Sequence, residues 1–495
     1  MVRHALEPAF ERIGPKASPE AVLSLKVCDP ACGSGAFLVE ACRQLGARLE
    51  QAWNIYGAEK PTIPPDEDEA LHARRLVAQK CLYGVDRNPM AVDLARLSLW
   101  LATLARDHEF TFLDHAIKSG DSLVGLTRHE IEAAHWDASK LGLPLFRSMI
   151  KEAVDRAQEG REAIRNAPDD VSRAVQESRF RRVETEVEPA RIVGDAVISA
   201  FFSTDTARAQ ELERATVESW IGGHLQPRWD LLEAKASAFR GEQGWQPFHW
   251  EVEFPEVFGR NNSGFDTIIG NPPFAGKNTI SAASGSKYLV WLQHLHKGAH
   301  GNADLVAHFF RRSFDILRDG GTFGLIATNT VGQGDTRTTG LAAILRNRGN
   351  ILRAVKRYQW PNEGAAVIVS IVHVIKGINF KAPVLDGREV DRISAYLVSG
   401  QFDDVPARLV ANVGTAFQGS ILLGMGFTFD DAAAAKGDAE SVEEMRRLIS
   451  ENPLNAARIK PYIGGEEVNN SPTYTHHRYA IDFEDFPLHR DDQSS

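Results

Sequence analysis

Apolar residues follow two rhythms along this chain, and the changes between them mark four stretches. From Leu25 to Leu126, short apolar runs alternate with segments of helical spacing. Leu25 to Cys28 predicts a strand, about Gly35 to Ala52 a helix, Cys81 to Val85 a strand ending at Asp86, and Pro89 to Leu104 a helix. Strand and helix in alternation predict a parallel sheet covered by helices. Pro61 to Glu69, rich in proline and acids, predicts a surface loop. From Thr127 to Gln246 the strand signal gives way to Ala, Glu and Arg, as in exposed helices. Strands return from Phe248 to Lys376, at Phe265–Ile269, Phe323–Thr328 and Ala365–Ile375, with an amphipathic helix over Leu305–Leu317. The last stretch, Gly377 to Ser495, mixes short strands, turns and an acidic helix near Ser441–Ser450, and its tail, Asp482 to Asp492, is expected to fray. The expected fold is α/β. A doubly wound sheet is split between residues 1–126 and 247–376, with a helical insertion over 127–246 and an α+β region over 377–495.

Composition narrows the function classes. The longest apolar run, Ala365 to Ile375, is too short to span a bilayer, and Met1-Val2-Arg3-His4 opens no signal peptide, so a cytoplasmic protein without membrane contact is expected. The net charge of −10 excludes blanket electrostatic attraction to nucleic acid. Any such contact must come from local patches, and Arg179-Phe180-Arg181-Arg182 and the stretch Arg346 to Arg357 are the candidates. Cys28 and Cys32 have no second Cys/His pair at zinc spacing, and no metal site is expected.

Three segments carry the chemistry of a bound nucleoside. In Val27-Cys28-Asp29-Pro30-Ala31-Cys32-Gly33-Ser34-Gly35-Ala36-Phe37, an apolar strand ends at an acid and small residues then turn the chain into a helix. Glycines there let the backbone approach a ligand, at the strand ends where doubly wound sheets bind nucleotides. Neither GxGxxG nor a P-loop is present. In Tyr83-Gly84-Val85-Asp86-Arg87-Asn88-Pro89, Asp86 ends a strand where it can accept from two ribose hydroxyls, although Asp86 or Asn88 could instead cap the next helix. In Ile117-Lys118-Ser119-Gly120-Asp121-Ser122-Leu123, Asp121 can accept from an adenine amino group or serve as a turn residue.

The fourth segment is Ile269-Gly270-Asn271-Pro272-Pro273-Phe274, directly after a predicted strand. Two prolines after Asn fix a rigid extended turn. The Asn271 amide oxygen and the Pro272 carbonyl can accept two hydrogen bonds from one amino group. The nitrogen lone pair is thereby turned toward a methyl donor, so orientation supplies much of the acceleration. Phe274 offers a face on which an extruded base can stack. The same residues could form an ordinary loop.

Taken together, these segments resemble the adenine-N6 DNA methyltransferases of restriction–modification and phage-defence systems, above all the large type IIG-like enzymes that fuse methylation and recognition. The order, cofactor motif before catalytic motif before a candidate recognition region, is similar to the gamma arrangement. The resemblance spans Leu25 to Lys376 and, more loosely, Lys460-Pro461-Tyr462-Ile463-Gly464-Gly465-Glu466-Glu467. It implies a Rossmann-like methyltransferase sheet and S-adenosyl-L-methionine as cofactor. Asp29, Pro30, Ala31, Cys32, Gly33, Gly35 and Phe37 would surround its methionine part. Asp86 would take the ribose hydroxyls and Asp121 the cofactor adenine amino group, and Arg87, Ser122, Asn271 and Asp304 would also belong to the cofactor-binding residues. Asn271, Pro272, Pro273 and Phe274 would hold the target adenine flipped from double-stranded DNA, and Asp304 would belong to a further pocket segment. In two respects the chain departs from the family. The Tyr-Thr-Pro-like segment that precedes the first motif in the family is absent from Met1–Ser24, where Val2 to Ile13 looks like a remnant helix, and large relatives continue beyond the length seen here. A split or truncated enzyme is therefore expected, working with other subunits of a defence or restriction system. No PD-(D/E)xK nuclease motif stands out. Two other classes fit the residues: an inactive DNA- or partner-binding subunit, and an N-methyltransferase acting on protein glutamine or RNA, where a planar nitrogen needs the same acceptor pair.

Overall fold

The structure is a computed structural model. It describes residues 1–482 except 64–67, 104–111, 143, 168–170, 172, 223–225, 243, 361–367, 379–381, 401–424, 471 and 474. Leu104, the start of the Ala365 strand, four residues of the Pro61–Glu69 loop and almost all of the Asp482–Asp492 tail lie outside the described residues. The chain forms two compact units, Met1–Asp404 and Val405–Ser495.

The first unit is built on nine strands: β1 (Val27–Asp29), β2 (Leu82–Asp86), β3 (Ile117–Ser119), β4 (Phe265–Gly270), β5 (Leu317–Thr328), β6 (Gly349–Gln359), β7 (Ile368–Lys376), β8 (Val384–Leu385) and β9 (Arg388–Glu389). Their order is β3-β2-β1-β4-β5-β7-β6-β8-β9. The first five run parallel, and β7 runs antiparallel between β5 and β6. This is the expected α/β sheet with helices on both faces. Val27 packs with Leu38, Leu45 and Val77 on one side. Its neighbour Cys28 packs with Tyr83, Phe254 and Phe265 on the other, so even a three-residue strand is buried on both faces.

The chain leaves β1 toward β2 and β3, then returns as β4 on the opposite flank of β1. Beside the carboxyl ends of β1 and β4 the winding reverses, which is where open α/β sheets bind ligands. The longest helices between β3 and β4, among the described residues, are Pro144–Arg165, Arg173–Ser203, Ala207–Gly222 and Trp229–Glu242. Their core includes Val154, Val197, Phe202 and Phe239 and continues into Leu123, Val124, Tyr288 and Trp291, so the helices buttress the loop after β3. The helix Val2–Ile13 buries Ala5 and Leu6 in the sheet's own core, and the Thr322 hydroxyl donates to the Ala5 carbonyl at 2.7 Å.

In the second unit, β10 (Thr428–Phe429), β11 (Ile459–Tyr462) and β12 (Arg478–Ile481) form an antiparallel sheet in the order β10-β12-β11. The helix Val442–Glu451, capped by Ser441, packs Val442 and Met445 on Phe429. Glu467, in the segment Lys460–Glu467, makes two hydrogen bonds to the Arg478 guanidinium, at 2.6 and 2.5 Å.

Candidate active site

At the end of β1, the Asp29 side chain is fully buried. Oδ1 accepts the Ala31 N–H at 3.0 Å, while Oδ2 is buried without a hydrogen-bond partner. Burial pushes this carboxyl up to about 8, with a smaller contribution from Asp86. The carboxyl has no donor on Oδ2 to offset its burial. Gly270, at the end of β4, is shaped to it: a Cβ there would lie 2.6 Å from Asp29 Oδ1.

The loop after Asp29 is held from two sides. The Cys32 N–H donates to the Val85 carbonyl at 3.0 Å, and the Gly33 N–H to Asp86 Oδ2 at 2.9 Å. The Ser122 hydroxyl donates to the Pro30 carbonyl at 2.6 Å. Gly35 has φ +81°, and a Cβ on it would meet the Ala95 backbone at 3.0 Å, so the turn into the helix Ala36–Ile55 requires glycine. Phe37 is half-buried and, with Met1 to His4, lines an open cleft of about 520 Å³.

Asp86 ends β2, and its other oxygen accepts the Asn88 N–H at 2.8 Å. The helix cap is Asn88, whose side chain accepts from the Met90 N–H. Asp86 is thus held by two backbone donors, one on each oxygen, and each oxygen keeps a further lone pair.

Asp121 is buried and accepts the Leu123 N–H at 2.9 Å. The Tyr288 hydroxyl is shared between its two oxygens, at 3.2 Å each. Trp245 stacks on Tyr288 at 5.2 Å, and the Arg87 guanidinium lies 5.2 Å over Trp245 and 4.0 Å from Asp121. Burial raises the Asp121 carboxyl, opposed by the Leu123 N–H, Arg87 and Tyr288. Tyr288, Trp245 and Trp291, whose Nε1 donates to the Leu123 carbonyl at 2.8 Å, were not singled out by sequence reasoning. An aromatic at helical spacing reads as core, and no local pattern announces a contact 167 residues away.

Asn271, Pro273 and Phe274 are exposed beyond β4, and Pro272 is buried. Phe274 is 37% exposed. Asp304 caps the helix Leu305–Ile316 through the Val306 N–H, and the same oxygen accepts the Ala275 N–H at 3.2 Å. Its neighbour Leu305 donates to the Ala275 carbonyl at 2.8 Å. Asp304 therefore anchors the turn carrying Asn271. Asp29 and the turn carrying Asn271 thus both lie at the β1/β4 reversal, Asp86 stands one strand away at the end of β2, and Asp121 follows β3.

Residues 80–356 match the model of the Eco57I restriction-modification methylases. The chain belongs to that family. Residues 17–128 also match the MmeI DNA-methyltransferase domain. It is 21% identical over 346 residues to a Methanocaldococcus jannaschii protein described as a type II restriction enzyme and methyltransferase, covering 63% of this chain and 26% of that one. It is 39% identical over 108 residues to the adenine-specific methyltransferase PglX of Streptomyces coelicolor, 20% of this chain and 8% of that one. Among solved structures, the type IIL restriction-modification enzyme MmeI in complex with DNA is similar, with TM-score 0.44 and 15% identity over 99% of this chain and 49% of that one. The match thus spans about a quarter of the first curated relative and less than a tenth of the second. Its four cysteines are buried free thiols. Among the described residues no group of three or more His, Cys, Asp or Glu could hold a metal, and no helix is long and apolar enough to cross a membrane.

Proposed function

We propose that this methylase transfers a methyl group from S-adenosyl-L-methionine to adenine N6 in double-stranded DNA, site-specifically, within a restriction–modification or phage-defence system. One observation carries the reading. The orphaned Asp29 oxygen closes β1, and the turn of exposed Asn271 and buried Pro272 directly follows the adjacent strand β4, where the sheet's winding reverses. The donor set fits the cofactor: Asp29 suits an ammonium or N–H, Asp86 two ribose hydroxyls, Asp121 an amino group. When bound, that cofactor supplies an electrophilic methyl group on a sulfonium.

The remaining work falls to the chain. The Asn271 amide oxygen and Pro272 carbonyl accept the two N–H bonds of the target amine and aim its lone pair at the methyl group. Phe274 stacks against the extruded base. No strong base is required, because the nitrogen loses a proton readily once methylated. Asp304 keeps the turn in place through Ala275. Residues 377–495 are assigned to target recognition in this reading.

The test incubates the protein with methyl-labelled cofactor and mixed-sequence duplex DNA, then digests the DNA to nucleosides. Label in N6-methyladenine is expected, and Asn271→Ala lowers the rate by roughly 10²–10³-fold while calorimetry still finds cofactor binding. Absence of label on DNA adenine sinks the reading. Label on RNA or on glutamine amides would move the activity to another planar nitrogen, and no cofactor binding at all would make the chain a partner-binding subunit.

A further inference from the structure

The basic stretch Arg346 to Arg357 does not form one patch. Arg346 folds back on its own helix to donate to the Ala342 carbonyl, and Arg348 reaches the Gly377 carbonyl. Arg353 is half-buried on β6. Of the other basic stretch, Phe180 is half-buried beneath Lys118, 5.5 Å from its ammonium, on the helix Arg173–Ser203.

Lys356 and Arg357 behave differently. On a regular strand two successive side chains point to opposite faces. Against β7, however, Val355 pairs with Ile371 and Tyr358 with Val369, so three steps on β6 face two on its partner. Arg357 takes up the extra residue with φ +51°. Such a bulge re-aims side chains, and both cations line one cleft of about 390 Å³ with Asn329, Gln333, Ser370 and Asp386. The Lys356 N–H donates to Asp386 Oδ1 at 2.7 Å, which pins the bulge, while the ammonium stays 3.9 Å from Oδ2. Ser370 is fully buried, and its hydroxyl has no hydrogen-bond partner among the described residues. A positive-φ cation, an orphaned hydroxyl and two side-chain amides around one cleft have no evident role in folding. Two cations against one carboxylate suit a singly charged anion.

The cleft opens where β5 ends in Thr328 and Asn329 begins the next turn. β5 pairs with β4, whose Gly270 lies beside Leu325, so the cleft and Asn271 share one edge of the sheet. We propose that Lys356, Arg357, Asn329, Gln333 and Ser370 bind a backbone phosphodiester of the DNA near the target base. This rests on the proposed DNA methylation and gives an acidic chain a local electrostatic hold on its substrate.

The test measures binding of a fluorescein-labelled duplex to the full chain across a salt series, with labelled methyl transfer in parallel. The Lys356→Gln/Arg357→Gln variant should weaken binding for every sequence, lower the slope of log K against log salt by roughly 1, and raise the KM for DNA several-fold. The charge-conserving Lys356→Arg/Arg357→Lys variant should keep the wild-type slope, which separates lost charge from disturbed folding. Ser370→Ala should weaken binding without changing the slope. A Gln variant with the wild-type slope and KM, in a protein that binds and methylates DNA, overturns the cleft assignment alone. A wild-type chain that neither binds nor methylates DNA overturns this assignment together with the reading it rests on.

Discussion

Two buried aspartates sit at opposite ends of the same pair of strands. Asp266 is the second residue of β4, at the amino end of the sheet, and Asp29 closes β1 at the carboxyl end. Both side chains are almost wholly buried, so both face the same desolvation. Asp266 meets it with four donors. Arg12 and Arg318 each lie 2.5 Å from Oδ1, and Arg260 and the Lys26 N–H each 2.9 Å from Oδ2. Burial pushes Asp266 up, but Arg260, Arg318 and Arg12 together hold it below the usual carboxylate value. Asp29 has one donor and a bare oxygen, and burial carries it to about 8. One end of the sheet is finished by the protein's own charges. The other is left short of a donor, and that shortage supports the proposed cofactor site.

The largest expected effect breaks the finished end. Asp266→Ala leaves Arg318, which is 6% exposed, without its carboxylate, and releases the helix Val2–Ile13 through Arg12. A cost of about 3 kcal/mol is expected. All nine tryptophans lie at or before Trp360, so urea unfolding followed by tryptophan fluorescence reports the first unit. A midpoint equal to the wild type would mean that the network is ornamental.

Asp29→Asn breaks the open end and should do the reverse. Stability holds or rises, because a carboxyl that is costly to bury becomes neutral, while cofactor affinity falls by about 2 kcal/mol, roughly thirty-fold. The pH dependence separates the two acids by sign. Asp29 is raised in the folded state, so folded protein holds a proton that unfolded chain has lost from about pH 4. Stability therefore declines as pH rises from there to about 8, and cofactor binding, which needs the ionised form, tightens over the same range. Asp266 is lowered, so its contribution is present above the usual carboxylate value and is lost as pH falls below it. Melting curves of wild type and Asp29→Asn between pH 5 and 9, roughly the window Asp29 titrates in, check this. If both show the same slope, Asp29 does not titrate there.

The open end was far more legible in the sequence than the finished one. Asp29 and Asp86 each end a strand, and Asn271 directly follows one, whose apolar run shows in the primary structure, with small or rigid residues following at once. A candidate site made of backbone turns is local, and local order can be read. The Asp266 network draws on Arg12, Arg260 and Arg318, which share no spacing and meet only because β4 and β5 pair and the first helix crosses them. The cleft of Lys356 and Arg357 lies between these cases. The basic stretch was visible, but the extra residue that turns both side chains to one side comes from register with β7. Asp304 was visible as a helix opener, yet its hold on Ala275 spans 29 residues.

Asp121 sharpens the contrast because it belongs to neither extreme. It has a backbone donor and a shared phenol, and burial still raises it. A carboxylate offers about four lone-pair sites. The Leu123 N–H uses one and Tyr288 one on each oxygen, which leaves Oδ2 able to accept an amino group. Tyr288 thus positions the acceptor without filling it, and its stack with Trp245 carries that position to Arg87. Removing the hydroxyl in Tyr288→Phe keeps the ring and its packing but takes away a donor that favours the ionised form. Cofactor affinity should fall by about 1 kcal/mol, roughly five-fold. The pH at which binding weakens on acidification should also move upward, because Asp121 then holds its proton longer. Calorimetric titration with cofactor across pH checks both. A purely structural tyrosine would lower the melting temperature and leave the pH profile in place, whereas tighter binding in the variant would show that Tyr288 competes with the ligand for Asp121.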